Sequence, residues 1–206
     1  MQKNNINDEH IKIYAKAMGE VNVRINSVES LYEHVKILPK IPEPIIIESA
    51  ALQIRKVLEL IAFALLVANK GIYSKKIEDE WHTGDIIKQM GIKNPNFYPV
   101  PLVCDKTSQA LTERTNNYLT KDEFTEVYGK YGDILHRLNP LKVKGLLSDQ
   151  YYQKQADFIH DSSENIKNLL DMHTIQLVNE GIVWVICMDW NSNGMPSYRA
   201  FEPSEK

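Results

Sequence analysis

The sequence predicts a mainly α fold, a multi-helix bundle carrying a small C-terminal antiparallel β meander. Three observations predict it. Apolar residues recur by threes and fours over several long stretches, the spacing of helices that bury one face. Prolines and glycines interrupt those stretches at a few sharply defined places. After His173 the character changes, and β-branched and aromatic residues gather between turn-forming clusters. The expected organisation is a helical bundle domain over residues 1–173, with a β meander appendage over residues 174–206 packed on it.

Residues 8 to 34 read as the first helix, with Ile11, Tyr14, Met18, Val21, Ile25, Val28 and Tyr32 along its seam. Gly19 weakens its middle a little. Pro39, Pro42 and Pro44 then deny helical geometry to themselves and their predecessors, which makes a stiff, extended connector. Residues 45 to 69, IIIESAALQIRKVLELIAFALLVAN, form a second helix that is apolar nearly all the way round. That is the pattern of a helix enclosed by others.

Gly71 is a plausible C-cap, and residues 72 to 92 hold one or two short helices around KKIEDEWHTGD. The segment NPNFYPVP, residues 94 to 101, interleaves prolines with Phe97 and Tyr98 and reads as an ordered loop with its aromatics tucked inward. An aromatic ligand wall is the functional alternative there. Thr120 and Glu123 make a capping box, so a helix is expected from Lys121 to Arg137, ended by Asn139-Pro140. The last long helix runs from Ser148 to Met172. Asn179-Glu180-Gly181 and Asn191 to Gly194 then bracket IVWVICMDW and predict three strands.

Composition narrows the function classes. With 206 residues, 43% hydrophobic and 25% charged, the chain suits one domain with a small appendage. Cys104 and Cys187 carry no disulfide or metal spacing, and the opening residues are not a secretory signal, so a cytoplasmic setting is expected. Leu60 to Ala68 is the longest apolar run, too short for a bilayer, so no membrane is expected. Lys+Arg number 24 against 27 Asp+Glu, a net charge of −3, so any nucleic-acid contact must be local. No metal and no cofactor is implied: the histidines lack ligand spacing, and P-loop, GxGxxG, GxSxG and EF-hand motifs are missing from the sequence.

Three places can carry chemistry. On the second helix Glu48, Leu52, Arg55, Glu59, Ala62 and Leu66 fall within about 40° of one direction. Glu48, Arg55 and Glu59 therefore form an expected buried polar network. It is either a pocket in which Arg55 grips a phosphate or carboxylate, or a structural ion network that fixes helix register. The second place is YGDILHRLNP, residues 131 to 140. His136 lies about 120° from Phe124 on the wheel, near Gly129 and Gly132. Two glycines on one helix face suggest that a helix or ligand approaches closely there. With Arg137, Asn139, Lys142 and Lys144 following as phosphate ligands, His136 suits proton transfer at a phosphodiester; a basic helix end that complements the dipole is the plainer reading. The third place is the tail. Trp184, Ile186, Met188 and Trp190 face one way and Val183, Val185 and Cys187 the other. Both faces are apolar, so one packs on the bundle and the other is expected to meet a second copy of the chain, or, less simply, to offer an aromatic platform for bases. Trp184, Ile186, Met188 and Trp190 are the expected interface.

ALQIRKVLEL, residues 51 to 60, together with YGDILHRLNP, resembles the HEPN superfamily of helical bundles, many of them ribonucleases or RNA-binding parts of toxin–antitoxin and phage-defence systems. The resemblance implies a HEPN-like bundle with RNA as partner; the charged stripe and the histidine beside the basic run then put Arg55 and His136 in one groove, as the catalytic residues of a metal-independent cleavage if cleavage occurs. Active members carry an arginine shortly before a histidine on one helix. None of the six histidines here follows an arginine at that separation. Binding therefore ranks above catalysis. The competing expectation is a non-catalytic, homodimeric protein-interaction module whose charges are structural.

Overall fold

The computed structural model describes residues 2–37, 43–70, 83–105, 107–136, 149–177, 181–192 and 194–202. Among them are five helices: α1 (Gln2–Ile37), α2 (Glu43–Ala68), α3 (Thr83–Lys93), α4 (Lys121–Leu135) and α5 (Asp149–Leu170). Five strands complete the fold: β1 (Val100–Cys104), β2 (Leu111–Glu113), β3 (Met172–Gln176), β4 (Val183–Cys187) and β5 (Ser197–Phe201). The protein is mainly α with a small antiparallel sheet, as its periodicity predicts.

Helix α2 is the axle of the bundle. It packs most extensively on α1 and also touches α3, α4 and α5. Ile47, Ala50, Ile54, Val57, Leu58, Ile61 and Leu65 are buried along it. One edge stays wet: Ile45, Glu48, Leu52 and Lys56 are exposed. The α2 stripe is thus open in its first half and covered in its second, where Ala62 and Leu66 are buried. Helix α4 begins at the expected capping box. The Glu123 amide donates to Thr120 Oγ1 at 3.3 Å, and the Thr120 amide donates to Glu123 Oε2 at 3.1 Å.

The sheet holds more than the tail. Its order is β2-β1-β3-β4-β5, every neighbouring pair antiparallel. The tail supplies the expected β3-β4-β5 meander, but β1 and β2 come from the middle of the chain, where the loop expected over residues 94–101 reaches only the start of β1 and no element is predicted for β2. Pro101 hides β1 from sequence reasoning, because proline removes a ladder donor. Pro101 nonetheless stands opposite His173 of β3, and its carbonyl accepts from the Arg114 amide at 2.9 Å. The aromatics just before β1 are tucked in as expected: Phe97 and Tyr98 are buried, and the Tyr98 hydroxyl donates to the Leu119 carbonyl at 2.9 Å. The expected boundary at residue 173 falls inside β3.

The sheet lays one face on the bundle. His173 and Ile175 on β3, with Trp184 and Ile186 on β4, point inward and are fully buried. Trp184 meets Tyr14 of α1 edge-on, ring centroids 5.9 Å apart. Two asparagines on α1 hold the following turn. Asn22 Nδ2 donates to the carbonyls of Asp189, at 2.7 Å, and Ser192, and Asn26 Nδ2 donates to that of Trp190 at 3.2 Å. At Gly19 a Cβ would come within 3.2 Å of Met195 Sδ, so this glycine lets the turn approach the helix closely.

Candidate functional site

The α2–α4 seam gathers two of the charged residues that the sequence singles out, Arg55 and Glu59. Arg55 and Glu59 lie one turn apart on α2, which lets the guanidinium and carboxylate meet, Nε to Oε1, at 3.6 Å. Across the seam, Tyr128 of α4 completes the cluster. Arg55 Nη2 donates to the Tyr128 hydroxyl at 3.0 Å, and that hydroxyl donates to Glu59 Oε1 at 3.3 Å. The guanidinium carbon stands 4.5 Å from the Tyr128 ring centroid, a cation–π distance. Lys56 binds the second oxygen of Glu59 at 2.7 Å.

Gly132 makes this arrangement possible. A Cβ at that position would lie 2.8 Å from Arg55 Nη1, too close for a real contact. Gly129 faces open space, with nothing within 4 Å of a Cβ. Of the two glycines expected to admit a close neighbour, Gly132 admits the guanidinium of α2. The side chains of Arg55 and Glu59 are 28% and 22% exposed, so the pair sits at the margin of the core rather than inside it. That avoids most of the desolvation cost of a sealed pair.

Glu48 stands apart. Its side chain is exposed on the wet edge of α2, so the polar network is Arg55, Glu59, Tyr128 and Lys56, without Glu48 and only half-buried. The reason is that the bundle covers the stripe only from its middle onward. His136 is the C-cap of α4, one helical turn beyond Gly132, and its amide donates to the Gly132 carbonyl at 2.9 Å. Its side chain is exposed. Arg137, Asn139, Lys142 and Lys144, expected to hold phosphate, lie outside the described residues.

The tail residues resolve differently from expectation. Trp184 and Ile186 are fully buried, Met188 is buried and Trp190 half-buried, all within the hydrophobic core of this one chain. They are not a free interface; α1 already covers them. The opposite face of β4, with Val183, Val185 and Cys187, is only half-buried, and all of β5 is exposed.

One site escaped the sequence reading. Tyr14 and His173 form a sealed joint between α1 and β3. His173 Nδ1 lies 2.8 Å from the Leu170 carbonyl, and its Nε2 lies 2.8 Å from the Tyr14 hydroxyl. A carbonyl only accepts, so Nδ1 carries the proton and Nε2 accepts from Tyr14. Burial pulls the imidazole pKa down to about 4, against the Leu170 hydrogen bond, which favours the charged form. Burial also raises the Tyr14 hydroxyl. Both groups are neutral at pH 7. The signal in the sequence was Tyr14 on an otherwise aliphatic seam, a phenol that needs a partner when buried.

Comparison with family models, with curated proteins and with solved structures returns no match. Among the described residues, no helix is long and apolar enough to cross a membrane.

Proposed function

We propose that the chain is a HEPN-like helical protein that binds RNA along the α2–α4 seam, in a toxin–antitoxin or phage-defence setting. One observation supports the reading most: Arg55 is held at the water margin, stacked on Tyr128, on the same seam whose α4 side ends at the exposed imidazole of His136. A guanidinium placed this way retains partly open N–H groups for a phosphate, and its ring partner fixes its plane. Binding ranks above cleavage. Where cleavage occurs, the 2′-hydroxyl is the nucleophile, His136 moves the proton and no metal takes part. Labelled total RNA incubated with wild type and with His136→Ala tests this reading. A native-gel shift supports binding, and RNA loss confined to wild type adds catalysis. Intact RNA with no shift in either sample removes the proposal.

A second reading is favoured by the sheet. The outward face of β4 is apolar, and β5 is an open edge strand with Phe201 52% exposed. An edge of that kind pairs readily with its own copy. Under this reading the chain is a non-catalytic homodimer. Light scattering would give a dimer mass for wild type and a monomer mass for Phe201→Glu; a wild-type monomer at high concentration rejects it.

A further inference from the structure

A groove of about 550 Å³ opens between α1, α2 and α5, on a different face from the Arg55 seam. Val28, Ile46 and Ile47 make its apolar floor, and all three are buried. Its rim is mostly acidic: Glu29, Glu43, Asp157 and Glu164 line it beside His160, and among the described residues no lysine or arginine does. Lys167, just outside, binds Glu29 and also Glu164 at 3.4 Å, so that end of the groove already holds an alkylammonium. Among the described residues Glu43 and Asp157 have no cationic partner. The nearby Tyr32 phenol is raised to about 12, by burial first and then by Asp157 and Glu43.

Carboxylates on a rim are ordinary, but a second observation points inward. Ser163 lines the groove, is only 4% exposed, and its Oγ has no hydrogen-bond partner. The Tyr32 hydroxyl is also buried without a partner. Leaving such groups dry and unpaired is unfavourable, a cost that a polar ligand group would remove. Asp157 and Ser163 are separated along α5 by about 9 Å at 1.5 Å per residue. Among the described residues no group of three or more acids, histidines or cysteines is placed to hold a metal ion.

We propose that this groove binds a small organic amine: its ammonium sits between Glu43 and Asp157, its apolar body lies over Ile46 and Ile47, and a polar group at its far end meets Ser163. Charge complementarity selects a cation, the floor selects an apolar body, and Ser163 selects a hydroxyl or amide at the distal end.

Tyramine is a suitable probe, because its ammonium and hydroxyl sit at opposite ends of an apolar ring. Calorimetry on the full chain should show tyramine binding severalfold more tightly than phenethylamine, which lacks the hydroxyl. The carboxylate 3-(4-hydroxyphenyl)propionate should not bind. Asp157→Asn, at an exposed position that leaves the fold intact, should weaken both amines about tenfold or more. Ser163→Ala should erase the difference between the two amines while keeping phenethylamine affinity. Absent binding of either amine, equal binding of the carboxylate, or unchanged affinity in Asp157→Asn would each overturn the proposal.

Discussion

The α2–α4 seam and the α1–β3 joint each bring polar side chains together between packed elements, and they solve the problem in opposite ways. At the seam a guanidinium, a carboxylate and a phenol bind one another and stay half-exposed beside water. At the joint a phenol and an imidazole lose access to water and are held neutral. The difference is one of desolvation. Ionised groups are tolerated where solvent still screens them, whereas a full seal selects the uncharged pair. A ligand can compete for the first arrangement, because its groups remain reachable. The second is a structural rivet.

The comparison breaks most severely at the ring that seals the joint. Trp184→Ala removes a fully buried side chain packed on Tyr14, and urea denaturation should show a loss of about 3–5 kcal/mol. A loss below about 1 kcal/mol would mean that the sheet is not riveted to α1.

Acid attacks the joint. His173 has an ordinary pKa of 6.5 when unfolded and about 4 when folded, so the unfolded chain binds the extra proton between those values. The stabilisation is complete above pH 6.5 and is lost as pH falls through that window toward 4, by up to about 3 kcal/mol. Denaturation midpoints at pH 7.5 and pH 4.5 would show it. A replacement of His173 by Gln should flatten the dependence.

Smaller and sharper is the glycine pair on α4. Gly129→Ala gains helix propensity with nothing in its way, and should raise stability by up to about 1 kcal/mol. Gly132→Ala gains the same propensity, but its methyl obliges the Arg55 guanidinium, the far end of a flexible side chain, to shift, so its net gain should be smaller. A clearly smaller gain for Gly132→Ala than for Gly129→Ala in thermal melts would confirm that only one glycine makes room for the guanidinium, and equal gains would contradict it.

Much of this architecture is legible in local sequence. The capping box places the start of α4, and the spacing of Tyr14, Met18, Val21 and Ile25 marks a helix whose periodicity needs no tertiary knowledge. Pro44, expected to deny helical geometry to itself and to Glu43, instead sits in the first turn of α2, where its missing N–H has no intrahelical partner to lose; Pro39 and Pro42 lie outside the described residues. The β1–β2 hairpin is not legible, because a proline and a three-residue strand carry too little pattern. Nor is the fate of the tail. Alternation shows that Trp184 and Ile186 share a face, but two apolar faces do not reveal which one α1 covers. At the seam, Arg55 and Glu59 are found from the helical wheel, whereas Tyr128 reads as one core aromatic among several. The exposure of Glu48 depends on where the bundle ends, which helical period alone does not encode. The sequence also drew attention to His136, set among basic residues, and passed over His173, whose partners are distant in the chain.

The central claim is that Arg55 is held open for an anionic ligand rather than spent on the fold. Anisotropy of a fluorescein-labelled single-stranded RNA at fixed salt, wild type against Arg55→Met, tests it most directly. Glu59 keeps Lys56 and Tyr128 in the variant, so its melting should stay close to that of wild type. The expected result is an affinity at least about tenfold weaker in Arg55→Met. Equal binding by both proteins, or none by the wild type, would contradict the account.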